Sequence, residues 1–562
     1  MPSGPAASRN MICENFYCDR ETITAGTNQL SYCPLIRHNQ GPLLSASLLK
    51  STAIVSGMTL ISRLFGYVRD MVVAVVFGAS GLTDAFFVAF RIPNLFRRMF
   101  AEGAFSLAFV PVFSEYREKH SQQELRDLAD HTAGALALVL ALVTATGILA
   151  APLVIRLFAP GFETGGERYE LAVQMLRITF PYLFFISLTA LAAGILNSYN
   201  RFAVPAFTPV LLNLSLITAS LWLAPLMEQP VLALSWGVLI AGMAQLSLQV
   251  PALLRIGLLP IPKFKRGDEG VKKILDLMLP ALFGSSVAQL NILINTLIAS
   301  FLITGSISWL YYSDRFVELP LALFGVAIGT VILPKLSRDH SNASADEFSG
   351  TLGWALRLTL LMAIPAMVGL IALAGPILIT LIEYGAFNPN DAFMSSLSLM
   401  AYALGVPAFM LVKILAPGFY SRQDSRTPVR IGIMAVIANI LLNIFIVLPW
   451  YLSGTMAPHA GLALATALAG YLNAGLLYRR LRQEQAYQGA AGNGLVAARL
   501  LIAGLIMGAA LYYLSPNSPT WYGWAALERA LHLGGLILSG ATVYFASLAA
   551  MGLRPRHFAK PS

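Results

Sequence analysis

Three otherwise apolar stretches of the sequence carry charges. Residues 48–76 contain Arg63, Arg69 and Asp70, residues 82–113 contain Asp84, Arg91, Arg97, Arg98 and Glu102, and residues 308–336 contain Asp314, Arg315 and Glu318. A charge at the centre of a bilayer costs about 2.5–3.5 kcal/mol on insertion scales. A set this large must therefore face a watery cavity or pair internally. The first two stretches hold five arginines against three carboxylates. Arginine suits phosphate, because its planar fork donates paired hydrogen bonds and it stays protonated when partly buried. The chemistry these residues could do is to hold an anionic headgroup in a central cationic cavity. The other reading is that some of the arginines snorkel or pair structurally.

At 100° per residue, Arg63 and Asp70 share one face of a helix, while Arg69 points about 120° away. Asp84 and Arg91 share a face of the second stretch; beyond Pro93 the phase is lost to a proline kink. Glu102, next to Gly103, either gates the cavity by pairing with an arginine across it or neutralises Arg98 at i+4. Asp314, Arg315 and Glu318 can pair within their own helix. Glu318, with Asp70 and Arg98, is thus a weaker candidate than Arg63, Arg69, Asp84, Arg97 and Arg315.

No catalytic residues are expected. The sequence has no phosphate-binding glycine loop, no HExxH, no GxSxG and no aspartate-rich metal motif. Its seven histidines are scattered without ligand spacing, and a lone one such as His340 reads as a solvated loop residue. Cys13, Cys18 and Cys33 lie in the polar first 45 residues, without a repeated CxxC or a histidine cluster. That segment has no basic region followed by an apolar core, so it does not read as a signal peptide. It is expected to be a disordered extension, or the product of a start codon set too far upstream. The chemistry implied is movement, not bond-making.

These charges must be positioned by membrane helices. Of 562 residues, 57% are hydrophobic and 12% charged, against about 25% charged in soluble domains. A bilayer-spanning helix needs roughly 20 apolar residues. Fourteen such stretches are expected near 48–76, 82–113, 131–159, 170–197, 204–225, 230–254, 273–302, 308–336, 352–382, 392–419, 430–451, 460–478, 494–514 and 529–552. The fold class is therefore an all-α polytopic membrane protein.

The loops between these stretches alternate in charge. One side holds Arg117, Lys119 and Arg126; Arg201; Arg255, Lys263, Lys265, Arg266, Lys272 and Lys273; Lys335 and Arg338; Arg422, Arg426 and Arg430; Arg479, Arg480 and Arg482; and Arg554, Arg556 and Lys560. The opposite loops offer Arg168 and Arg529. The positive-inside rule puts both termini in the cytoplasm. Most of the net charge of +10 then reports topology, and no nucleic-acid partner is needed. Trp222, Trp309, Trp450, Trp521 and Trp524 fall near outer helix ends, where interfacial anchors are expected.

An internal repeat runs at a nearly constant shift of about 224 residues: Leu149–Leu157 matches Leu373–Leu381, Pro111 and Ser114 match Pro334 and Ser337, and Ser198 and Pro205 match Ser421 and Pro428. Six spans return the chain to its starting side, so the copies share an orientation, and parallel halves around a midplane site are a transporter plan. The expected organisation is a polar extension over 1–45, a first lobe over 46–265, a second over 266–487, a helix pair over 488–553 and a cytoplasmic tail over 554–562. The helix pair either grooves the exterior for a lipid tail or pads one lobe.

At this point the sequence resembles the MurJ (MviN) lipid II flippases of the MOP exporter superfamily. The resemblance is carried by Ser62–Asp70 (SRLFGYVRD), Thr83–Ser106 (TDAFFVAFRIPNLFRRMFAEGAFS), Ser308–Arg315 (SWLYYSDR) and Leu415–Asp424 (LAPGFYSRQD), within a match from about residue 46 to 553. It implies fourteen helices in two lobes, with the last two forming a lipid groove. It also implies export of lipid II, the undecaprenyl-pyrophosphate-linked disaccharide pentapeptide, to the outer leaflet of the bacterial inner membrane. Carried across residue by residue, the family's cavity arginines match Arg63, Arg69, Arg97 and Arg315, and its acidic positions match Asp84 and Glu102. Some family members bind sodium in the second lobe, but no ligand set for it is identifiable in this sequence.

No cofactor is expected, and membrane potential or sodium is left as the source of energy. The expected partners are lipid II, membrane lipids and the cell-wall synthesis machinery, with the chain itself a monomer. Among rivals, an exporter of cationic drugs would want an acidic cavity, whereas an exporter of another polyprenyl-pyrophosphate-linked glycan fits the same charges. A membrane-embedded transferase would need catalytic carboxylates with a metal, and a non-transporting scaffold would tolerate alanine at the cavity arginines.

Overall fold

The computed structural model describes residues 46–265, 267–341, 344–489 and 492–553. The expected extension 1–45 with its three cysteines, the tail 554–562, Arg266 and the side chain of Glu102 lie outside the described residues. The chain divides into a short unit ending at Leu49 and a main unit, Lys50–Ser562; the description below concerns the main unit.

Helix occupies all fourteen expected stretches, and no strand occurs among the described residues. Among the described residues, ten helices are long and apolar enough to cross a bilayer, or eleven if the bent pair Pro389–Ala403 and Val406–Tyr420 is one span. The helix Ala46–Phe77, the run from Gly81 through Lys119 and the helix Glu269–Ser300 occupy the remaining expected stretches.

The sequence repeat reappears as repeated irregularity. The helix Gln122–Leu149 breaks at Ala150 before the short helix Ala151–Phe158, and Ala345–Ala372 breaks at Leu373 before Ala374–Leu381. Both breaks sit at the matched Leu-Ala-x-Pro segment. A π-helical segment, Arg97–Phe105, joins Gly81–Phe96 to Ser106–Lys119, and a second, Leu321–Val326, sits at the corresponding place after Ser306–Pro320. Such wide turns interrupt a helix without ending it, and they concentrate at functional positions.

Packing differs between the two ends of the bundle. The largest apolar core draws on both halves of the chain, from Val73 and Phe86–Phe90 to Ile307, Phe316, Leu378 and Phe387. Toward the basic loops there are two separate cores. One is built from Phe105–Phe113, Leu125–Ala133, Leu191–Leu196 and Leu253, and the other from Ile332, Leu336, Leu352, Ile414–Phe419 and Leu477–Leu481. The halves thus share a core at one end and keep their own at the other. The helix Glu269–Ser300 fastens to the first of these cores at the basic end, through Ile274, and reaches the second half deeper, at Asn295. Lys273 pairs with Glu115 at 2.6 Å, and Asp268 meets His131 at 2.8 Å and caps its own helix through Val271.

At the other end the last helix, Ala526–Ala550, is tied to the short helix Ala374–Leu381. Arg529 donates to the carbonyl of Ile379 and lies over the Tyr384 ring. Glu383 is buried in the same corner. Burial pushes its carboxyl up to about 7, against the opposing pull of Arg529 and Tyr522. A carboxyl raised on folding contributes stability below its unfolded pKa and loses it as pH rises through the folded one. We therefore expect the thermal midpoint of the purified chain to fall as pH rises from about 5 to about 8, and Glu383→Gln to flatten that dependence. A midpoint that does not move with pH in the wild-type chain would contradict this.

Candidate functional site: a charged cluster between the two halves

The Ala46–Phe77 helix and the Ser306–Pro320 helix meet through an ionic cluster. Asp70 Oδ1 accepts from Arg69 Nε at 3.0 Å, from Arg69 Nη2 at 2.6 Å and from the Tyr311 hydroxyl at 2.9 Å. Asp70 Oδ2 lies 3.4 Å from Arg315 Nε, and Arg315 Nη1 donates to Glu318 at 2.7 Å. Tyr311 is the hub: its hydroxyl also accepts from Arg69 Nη2 and Arg315 Nη2, and its ring lies under the Arg315 guanidinium and against Phe87. Arg69 reaches one step further, to Asn213 Oδ1 at 3.0 Å, and Asn213 in turn donates to the carbonyl of Ser62. Tyr67 donates to the carbonyl of Arg315.

Arg69 and Asp70 are buried. A buried guanidinium needs both a counter-charge and acceptors for its remaining N–H groups, and this cluster supplies both. The expectation that Arg69 points away from Asp70 is corrected: its Cα direction does differ, but the long side chain folds back onto the neighbouring carboxylate.

The cluster forms part of the wall of a cavity of about 170 Å³. Arg91, Arg98, Asp314, Arg315 and Glu318 line it, with Phe87, Phe90, Tyr402, Asn295 and Thr466. Arg91 donates to Thr296 of the bridging helix at 2.6 Å. The lining is therefore mixed in charge, not purely cationic. From this wall Asn295 and Thr466 join a hydrogen-bond network with Asn439 and Asn443 across three helices, the kind of polar contact that ties membrane helices together.

The other expected residues stand elsewhere. Arg63 is exposed, and no ion pair joins it among the described residues. Arg97 begins the π-helical segment and donates to Asn94 at 2.8 Å. Glu102 belongs to that same segment by its backbone.

Asp84 is buried at the end of the bundle opposite the basic loops. It accepts from Gly305 N at 2.7 Å, Ser308 N at 2.8 Å and Ser308 Oγ at 2.6 Å. It thereby caps the Ser306–Pro320 helix from the other half of the chain, where a carboxylate also complements the helix dipole. Beside it, Ala386 N donates to the carbonyl of Val75 at 2.8 Å. Gly78, at φ +65°, lies so close to Ala386 that a Cβ would strike its backbone. Both halves are latched at this end.

Two tryptophans expected at the lipid interface are buried instead. Trp309 donates to Asp391 at 3.0 Å and packs against His459, and Trp521 donates to the carbonyl of Pro516. Sequence reasoning missed Asn213, Thr296 and the asparagine network as partners. Polar amides inside apolar spans were the signal available for them.

Comparison with known proteins bears on this arrangement. A family model described as lipid II flippase MurJ matches residues 73–531. The probable lipid II flippase MurJ of Vibrio cholerae is 47% identical over 518 residues, covering 91% of this chain and 97% of the relative. The lipid II flippase MurJ of Burkholderia cenocepacia is 41% identical, covering 91% of this chain and 99% of the relative. A solved structure, lipid II flippase MurJ in an inward closed conformation, superposes with a TM-score of 0.73 at 29% identity, covering 88% of this chain and 100% of the other. An inward-facing multidrug resistance MATE transporter of the MOP superfamily, 13% identical, shares the fold with a TM-score of 0.61 over 78% of this chain and 99% of its own. The chain belongs to the MurJ family of lipid II flippases.

Proposed function

We propose that the chain moves lipid II from the cytoplasmic to the periplasmic leaflet of the bacterial inner membrane by alternating access between two lobes, residues 46–265 and 266–487. The observation that carries this reading is the cluster of buried Arg69, Asp70 and Tyr311 with half-buried Arg315, which joins the two halves through charges suited to a pyrophosphate. A cavity of about 170 Å³ is smaller than the roughly 300 Å³ at which small-ligand pockets begin, so a glycopeptide headgroup needs the halves to separate. Separate cores at the basic end favour that end as the one that opens first, and its basic loops support a cytoplasmic placement.

In the open state the cargo pyrophosphate competes with Asp70 and Glu318 for the two guanidiniums, while the polyprenyl tail stays in lipid. Asp84 and Arg63 serve in this cycle as latch and entry-side cation, Arg97 and Arg98 as supports of the π-helical segment, and Glu102 as a gate residue. The helix pair 488–553 lines the path of the tail. Both termini lie in the cytoplasm, and the working unit is the monomer. Membrane potential supplies direction, since each negative charge moved outward gains about 2.3 kcal/mol per 100 mV.

The test is rescue of a bacterium depleted of its own lipid II flippase, scored by lipid II exposed on the outer leaflet. Growth and exposure restored by this chain are expected. A well-inserted chain that restores neither would overturn the reading.

A further inference from the structure

A second cavity, of about 440 Å³, lies within the later half of the chain, beside the central one. Asn291 and Thr466 line both. Its wall carries Lys413, in the middle of the helix Val406–Tyr420. At 1.5 Å per residue, Lys413 sits about 10 Å from the basic end of that helix. No carboxylate lines the cavity, and no ion pair joins Lys413 among the described residues. Lys413 is exposed, and an ammonium in the middle of an apolar helix marks a site when nothing structural uses it. Two acceptors accompany it: the amide oxygens of Asn291 and Asn473 are buried without a donor. Small residues, Gly432, Ala435, Ala469 and Gly470, keep the space open.

One point-like cation beside two orphan acceptors does not match a pyrophosphate, which brings acceptors only. It matches a carboxylate flanked by N–H or O–H groups. We propose that the Lys413 cavity is a subsite for a carboxylate-bearing peptide segment of the cargo, with Lys413 pairing the carboxylate and Asn291 and Asn473 accepting from neighbouring amide N–H groups. The proposal rests on the lipid II reading above, whose stem peptide carries such carboxylates. It adds a peptide subsite next to the arginine cluster that holds the pyrophosphate.

The test uses the purified full chain in detergent with three probes: lipid II, a soluble disaccharide pentapeptide without pyrophosphate or lipid, and that pentapeptide with its carboxylates amidated. Loss of a charged hydrogen bond corresponds to roughly a 10- to 100-fold loss in affinity. Lys413→Gln is expected to weaken the pentapeptide by that factor, Lys413→Arg to retain most of it, and amidation to reproduce the loss on the unmodified chain, where folding is not in question. Inorganic pyrophosphate should compete with lipid II equally well in the wild-type chain and Lys413→Gln. Equal binding of native and amidated pentapeptide overturns the proposal, as does a Lys413→Gln effect confined to pyrophosphate, or to binding of anionic phospholipid vesicles. If the wild-type chain does not bind lipid II, the functional reading fails and the subsite falls with it. If it binds lipid II but ignores the pentapeptide's carboxylates, the subsite alone fails.

Discussion

Arg315→Ala is expected to reduce lipid II export about 100-fold or more while leaving the protein folded and inserted. Two charge-assisted hydrogen bonds from one guanidinium to a pyrophosphate contribute about 1.5–3 kcal/mol each, which sets that scale. The fold should survive for reasons visible at the site. Asp70 keeps Arg69 and Tyr311 as donors, and Glu318 is partly exposed and can hydrate. Arg69→Ala is a poorer test, because it strips Asn213 and leaves Asp70 with only the Tyr311 hydroxyl and a 3.4 Å contact to Arg315. Breaking a buried pair from one side typically costs about 3–5 kcal/mol in stability. Arg315→Lys should recover only part of the activity, since an ammonium cannot fork. The measurement is outer-leaflet lipid II at matched membrane levels, and full activity in Arg315→Ala would assign the arginine a purely structural role.

Asp84→Asn should unlatch the opposite end. The carboxylate satisfies three donors at once, two on Oδ1 and one on Oδ2. An amide offers one oxygen and turns an NH2 toward a backbone N–H. At least one charged hydrogen bond is lost and a donor–donor contact appears, a change of about 2–3 kcal/mol, or up to about 100-fold in the closed-to-open ratio. Phe87, buried against Tyr311 at the same junction, gives the readout. A cysteine there should react with a membrane-impermeant thiol reagent much faster in Asp84→Asn than in the Asp84 background. Ser308→Ala, which removes only the hydroxyl bond, should fall between them. Equal labelling in all three would show that Asp84 does not hold this end shut.

Much of this site was legible in the sequence because it rests on local pattern. The charged stretches, the i,i+3 partnership of Arg315 with Glu318 and the register of the repeat follow from spacing along one helix, and the helix breaks at Ala150 and Leu373 fall on the repeated proline segment. What was not legible depends on partners far apart in sequence. Asp84 reads as a cavity charge until the helix it caps, more than two hundred residues later, is in place. A helical wheel treats side chains as spokes, so it separated Arg69 from Asp70, although a guanidinium on a long flexible stem reaches sideways. Trp309 and Trp521 fall near expected outer helix ends in the sequence, but burial depends on the neighbouring helices, and both face protein. Lys413 passed unnoticed as a single charge in a long apolar span; its significance comes from the cavity around it.

Affinity for lipid II, compared between the two partners of a single ion pair, tests the central claim most directly. Arg315 and Glu318 are joined at 2.7 Å. If the guanidinium exists to receive a pyrophosphate, Glu318 is its competitor. Arg315→Ala should then bind lipid II more weakly, and Glu318→Gln should bind it more tightly, by up to about fivefold for a partly exposed pair. Opposite signs are the predicted result. Loss of affinity of the same sign and similar size in both variants would mean that the pair serves the fold and that the cargo is held elsewhere.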